Sequence, residues 1–98
     1  MEKDLEYIEL FEIYKGLLTE KQRELFSSHY LLDLSLSEIS EEEGGTRQSV
    51  YDQIKKVKAK LLEYEKVLSL KDKYGELKAL KGELSLEVYE KILDIIGR

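Results

Sequence analysis

The sequence predicts an all-α fold, and three observations predict it. Apolar residues recur at helical spacing through almost all of the 98 residues. No proline interrupts the chain. Good helix caps stand at Thr19, Ser35, Thr46 and Ser85, each just ahead of an amphipathic run. A chain of this length forms one small domain over residues 1–98 with a core of limited size, so a homodimer is the default expectation.

The first helix is expected over residues 3–18. Leu5, Ile8, Phe11 and Leu18, with Tyr7, Leu10, Tyr14 and Leu17, cover more than a narrow stripe. So broad a surface fits either a helix central to one chain or one that also meets a second subunit. Gly16 loosens its end. Thr19 and Gln22 form a capping box that opens a second helix to about Leu32, with Leu25, Phe26, His29, Tyr30 and Leu32 on its inner face. His29 is the only histidine and has no neighbouring nucleophile, which reads as a core or boundary residue.

Ser35 and Glu38 form another capping box and open a third helix, about Leu36 to Glu43, with Leu36 and Ile39 inward and Ser40 small. Gly44 suits the left-handed position that ends a helix. Thr46 caps a fourth helix from Arg47 to about Leu68. In it Val50, Ile54, Val57, Leu61, Tyr64 and Leu68 form a heptad-like seam too long for the short helices before it to cover. Its second half should pack on the first helix, on the last helices or on a partner. A shorter helix follows from Ser69 to Lys81, weakened by Gly75 and stopped at Gly82. Ser85 caps a strongly apolar last helix containing Leu86, Val88, Tyr89, Ile92, Leu93, Ile95 and Ile96. Residues 69–98 therefore read as a dimer contact or a core cover.

Composition narrows the function classes. The net charge is −5, but it is unevenly spread. Residues 1–44 carry twelve acids and four bases, whereas residues 46–60 carry Arg47, Lys55, Lys56, Lys58 and Lys60 against Asp52 alone. A basic helix on an acidic body can aim binding at one face; alternating charge that solvates a helix is the plainer alternative. No run approaches the roughly 18 apolar residues of a membrane span, and Met1-Glu2-Lys3-Asp4 does not resemble a signal peptide, so a cytoplasmic protein is expected. The absence of cysteine excludes disulfides, thiolate nucleophiles and cysteine-bound metals. No nucleophile–base pair, phosphate loop or metal-spaced ligand set is present, so no enzyme, cofactor or metal is expected. The run Glu41-Glu42-Glu43 does not converge on a site, because successive helical residues point about 100° apart.

The short capped helix, the glycine turn and the basic helix make a helix-turn-helix over about residues 35–60. Ile39, Ser40, Gly44, Thr46 and Val50 fit its packing positions. Two positions depart from it. Glu43 stands where an apolar side chain normally pins the two helices, and Gly45 stands where valine, isoleucine or leucine is usual. A looser turn, a short third helix, or both are expected. Arg47, Gln48, Ser49, Tyr51 and Asp52 would lie on the groove side, with arginine matched to guanine and glutamine to adenine. Ser49 and Tyr51 could meet phosphate, as could Lys55, Lys56 and Lys58 with salt-sensitive affinity; Asp52 would need a cytosine amino group or an arginine. For each residue the alternative is a solvated helix surface.

The runs Leu17-Leu18-Thr19-Glu20-Lys21-Gln22-Arg23, Tyr30 to Ile39 and Thr46 to Lys56 are similar to those of the bacterial YlxM-type proteins, over about residues 8–68. That resemblance implies a helix-turn-helix like sigma factor region 4 and a gene beside that of the signal recognition particle GTPase. It implies one of two functions. The first is a DNA-binding regulator, with signal recognition particle genes as its implied target. The second is an RNA- or protein-binding accessory of that particle, without sequence-specific DNA binding.

Overall fold

The computed structural model describes residues 2–98, with side-chain surroundings from Asp4 onward. Among these residues there are six α-helices and no strand: α1 (Glu2–Tyr14), α2 (Glu20–Phe26), α3 (Leu36–Glu43), α4 (Arg47–Leu68), α5 (Leu70–Lys78) and α6 (Leu86–Ile96). The all-α expectation holds, and the helix that carries the basic residues has the expected span.

Three stretches differ from the sequence reading. The first α-helix ends at Tyr14, and Lys15–Leu17 tighten into a 3-10 turn that leaves Leu18 extended. Arg23 fixes this corner, its guanidinium donating to the carbonyl oxygens of Leu18 at 2.6 Å and Lys15 at 3.2 Å. The second helix does not run on to Leu32 as an α-helix; Ser27–Leu31 widen into a π turn. Asp33 closes it with a left-handed backbone, φ 56°, and the Leu34 amide donates back to Ser28 O at 2.9 Å. The fifth helix stops at Lys78, and Gly82 lies inside a 3-10 segment, Ala79–Glu83, that leads toward α6.

The apolar residues gather in two clusters along α4. Leu10, Phe11, Tyr14 and Leu18 from the first segment, Phe26 from α2, and Val57 and Leu61 from α4 form one. Leu25, Ile39, Val50 and Ile54 form the other, beneath the helix-turn-helix. The α4 seam thus serves both, its N-terminal half under α3 and its C-terminal half under α1. Three rings continue the first cluster outward: Phe11 stacks on Phe26 at 4.4 Å, and Phe26 on Tyr30 at 4.6 Å.

Ser69 joins α4 to α5 with a left-handed backbone, φ 53°, and its side chain caps nothing. Glu65 does that work instead. Its Oε1 accepts from the Lys71 amide at 3.0 Å and its Oε2 from the Asp72 amide at 3.3 Å. The Tyr14 hydroxyl donates to Glu65 at 2.6 Å and accepts from the Leu70 amide at 3.0 Å. One buried tyrosine and one carboxylate therefore satisfy the first amides of α5. Burial, and then the Glu65 carboxylate, push the Tyr14 hydroxyl up from 10.0 to about 12. Burial raises Glu65 too, but its bonds from Tyr14, Lys71 and Asp72 outweigh that and hold it below the ordinary carboxylate value.

Beyond this junction α5 and α6 contribute no buried residue. They form an arm that gives the molecule extents of 53 × 25 × 24 Å. The radius of gyration is 16.3 Å, against about 12.6 Å for a compact chain of this length. No helix among the described residues is long and apolar enough to cross a membrane.

Candidate nucleic-acid interface

The site begins with the turn. Thr46 accepts from the Ser49 amide at 3.0 Å and so starts α4 one residue after the glycines. Ser35 and Glu38 close the expected capping box on α3. The Ser35 amide, first, and its hydroxyl hold the Glu38 carboxyl below its usual value. The two anomalous positions have structural accounts. Glu43 reaches across to α2, where its carboxylate meets the Lys21 amine at 2.8 Å. That bond links α3 to α2 at the end where an apolar pin is missing. The Glu43 hydrogen bond, ahead of its charge, raises the Lys21 pKa. Gly45 has φ 90°, a backbone that valine or isoleucine would resist. Gly44 has φ 80° and ψ 166°. This is not the left-handed helical cap that the sequence suggests but an extended region essentially reserved for glycine. The Gly-Gly pair is therefore required by the path of the turn. The third helix is short, eight residues, as expected.

Val50 and Ile54 lock α4 to Ile39 and Leu25, so its opposite side stands free. Arg47, Gln48, Ser49, Tyr51, Asp52, Lys55 and Lys56 are all exposed there. They do not form a single stripe. Gln48 donates to Asp52 at 3.0 Å along the crest of the helix, which gives the carboxylate a local partner. Ser49 accepts from Gln53 at 3.2 Å on one flank. Arg47, Tyr51 and Lys55 follow one another at four-residue spacing on the other flank. Lys58 lies on the same flank as Arg47, Tyr51 and Lys55, but its amine turns toward α1. Its amine lies 4.5 Å from the centre of the Tyr7 ring and 5.7 Å from that of Tyr30, a cation–π sandwich toward α1. Burial opposes its charge, and Tyr30, Tyr7 and Asp4 more than offset this and raise its pKa.

The flank that bears Arg47 borders two hollows. One, of about 440 Å³, is lined by Leu36, Arg47, Gln48 and Tyr51. A smaller one of about 70 Å³ adjoins it, sharing Leu36 and Tyr51 and bringing in His29, Tyr30, Ile54, Lys55 and Lys58. His29 is a boundary residue whose Nδ1 lies 2.9 Å from Leu34 O, tying the π turn to the connector before α3.

With the geometry in view, comparison with known proteins is informative. A family model described as "Putative helix-turn-helix protein, YlxM / p13 like" matches residues 1–96. The chain belongs to this family, UPF0122. It is 46% identical over 84 residues to a UPF0122 protein of Shouchella clausii (strain KSM-K16), covering 86% of this chain and 77% of the relative. It is 46% identical over 90 residues to UPF0122 proteins of Bacillus cereus (strain AH187) and Bacillus thuringiensis subsp. konkukian (strain 97-27), covering 92% of this chain and 82% of each relative. No solved structure matches the chain. The family description agrees with the helix-turn-helix formed by α3, the Gly-Gly turn and α4. Sequence reasoning centred on α4 missed Leu36, His29 and Tyr30 as walls of the same flank. The signal was present in the aromatic spacing of Phe26 and Tyr30, but nothing local announces a π turn that reorients the second ring. Among the described residues no three His, Asp or Glu side chains gather as a metal site.

Proposed function

We propose that this UPF0122 protein is a DNA-binding regulatory protein that docks the N-terminal half of α4 against the duplex. The observation that carries the reading is one of unneutralised charge. Among the described residues, five cations elsewhere in the chain are paired with carboxylates, while Arg47, Lys55 and Lys56 belong to the larger set that is not; what distinguishes them is concentration, since residues 46–60 hold five cations against Asp52 alone. In a chain of net charge −5, Arg47, Lys55 and Lys56 stand on the exposed side of a helix whose other side is locked by Val50 and Ile54. Free cations on a rigid helix suit phosphate contact, while Arg47 and Gln48 suit base edges.

The arm supports a dimer as the working form. The accessible surface is 7089 Å² for 11.5 kDa, against roughly 5,800 Å² for a compact monomer of that mass. The excess, roughly 1,300 Å², is larger than the ~800 Å² that each partner buries in a standard interface. Leu86, Val88, Leu93 and Ile95 are all exposed on α6, and a second copy of the arm would cover them. Two copies would present two α4 helices to two half-sites. The genes of the signal recognition particle are taken as the regulatory target on the family resemblance alone.

A second reading is favoured by α3. Glu41 and Glu42 are exposed beside the turn, where a helix-turn-helix ordinarily crosses a phosphate backbone. Carboxylates there repel the phosphates of either nucleic acid, so they favour a protein-binding accessory of the signal recognition particle, with any RNA contact left to the cations of α4. Fluorescence anisotropy with duplex DNA and with particle RNA, across a salt series, separates the two. Loss of the two phosphate contacts of Lys55 and Lys56 in an Arg47→Ala, Lys55→Ala, Lys56→Ala variant should reduce the log–log salt slope on duplex DNA by about 1.8. Binding to neither nucleic acid at low salt would defeat both nucleic-acid readings.

A further inference from the structure

We propose that the flank of α4 beside Arg47 holds one unpaired base of a bound nucleic acid. The inference rests on the nucleic-acid reading of α4 and specifies what that surface takes. The chain has 21 acids and 16 bases, yet no carboxylate lines either hollow on this flank. The larger one offers an apolar wall, Leu36, an aromatic ring, Tyr51, a cation, Arg47, and an amide, Gln48. Those are the parts an extruded nucleotide needs: a ring to stack on, a charge for its phosphate, and an amide for its edge. Base pairs inside a duplex are stacked on both faces and cannot offer a face to Tyr51; an unpaired base can. The volume, about 440 Å³, is ample for a single base, and the adjoining hollow continues it toward Lys55.

The inner walls of the two hollows are fixed before any ligand arrives. Leu36 is the first residue of α3, immediately after the Ser35 capping box. Tyr30 is the outer ring of the stack through Phe26 to Phe11. His29 meets it edge-on at 5.1 Å and is tied to Leu34 O. Tyr51 is 48% exposed, and Arg47, Gln48 and Lys55 beside it are exposed as well, so the ring is open to a stacking partner. The cations disfavour a basic or purely apolar peptide, and the aromatic ring beside them is what a stacked base uses and an acidic side chain does not.

The experiment measures anisotropy with one hairpin stem in two forms, fully paired and carrying a single unpaired adenosine, each made as RNA and as DNA. The unpaired form should bind about tenfold tighter or more, in line with stacking of one base on an aromatic side chain. A 2-aminopurine at the unpaired position should be quenched on binding. Tyr51→Ala should abolish the preference, and Tyr51→Phe should keep it; circular dichroism of each variant should match the parent, since Tyr51 is half exposed. A preference in RNA only or in DNA only names the source of the base and supports the proposal. Equal affinity for paired and unpaired forms, or a preference that survives Tyr51→Ala, overturns it. If the paired stem binds with a salt slope but without preference, only this inference fails. If neither form binds, the nucleic-acid reading fails with it.

Discussion

Replacing Gly44 with alanine isolates the strain of the turn. A Cβ added at Gly44 would meet nothing within 4 Å, so the substitution adds no clash and removes no contact. What remains is the backbone, at φ 80° and ψ 166°. A non-glycine residue held in that region costs about 1–3 kcal/mol. At about 2 kcal/mol the midpoint of thermal unfolding should fall by roughly 8–16 °C for a domain of this size. The assay is urea unfolding followed by circular dichroism, at one protein concentration because an oligomer's stability depends on it. Gly75→Ala is the control. Gly75 lies within α5, also faces open space, and has no positive φ. Alanine there should stabilise by about 0.5–1 kcal/mol. If Gly44→Ala is within 0.5 kcal/mol of the parent (~a few degrees at most), the turn is not constrained as described. The account of why Gly44 and Gly45 occur together would then be wrong.

Other expectations follow from the junction and the arm. Tyr14 is 1% exposed, and Tyr14→Phe leaves the Leu70 amide without its acceptor and takes one of three donors from Glu65, which keeps those of Lys71 and Asp72, a loss of about 1–3 kcal/mol in urea unfolding. Its hydroxyl pKa is raised from 10.0 to about 12, so its stabilisation is complete below pH 10 and is lost as pH rises toward 12. Glu65 has the opposite sign. Its pKa is depressed from 4.5, so its stabilisation is complete above that pH and is lost as pH falls through the lower folded value. Protection of the amides of residues 70–72, relative to their intrinsic exchange, should fall as pH drops through the folded value of Glu65, and Glu65→Gln should flatten that limb; equal acid dependence in that variant would remove Glu65 from the account. Light scattering should give a dimer for the parent and a monomer for a Leu93→Glu, Ile95→Glu variant; a parent that is monomeric at high concentration contradicts the dimer.

Much of the fold was legible because caps and apolar spacing act locally. Thr19, Ser35, Thr46 and Ser85 all cap the helices assigned to them. The α4 span followed from Thr46 and the seam, and the short third helix from Ser35 and Gly44. What escaped depends on distant partners. Ser69 reads as the start of a helix but is left-handed and caps nothing, and Glu65 with Tyr14, 51 residues apart, holds the first amides of α5 instead. Glu43 looks like a lost apolar contact until Lys21 is seen 22 residues away. The π turn at Ser27–Leu31 has no local signature, so the placement of His29 and Tyr30 could not be read. Lys58 reads as one more surface cation by composition, and only the fold brings Tyr7 and Tyr30 beneath its amine. The exposure of Arg47, Lys55 and Lys56, by contrast, follows from the seam itself, since Val50, Ile54 and Val57 take the inner side.

The central claim is that the exposed side of α4, presented by the Gly-Gly turn, is where this protein meets nucleic acid. Amide chemical-shift mapping on the full chain tests it most directly, with duplex DNA and then structured RNA added at low salt. The account predicts perturbations concentrated over residues 46–58 and the 29–36 connector, with α5 and α6 little affected. Perturbations confined to the arm, or none with either nucleic acid, would contradict it.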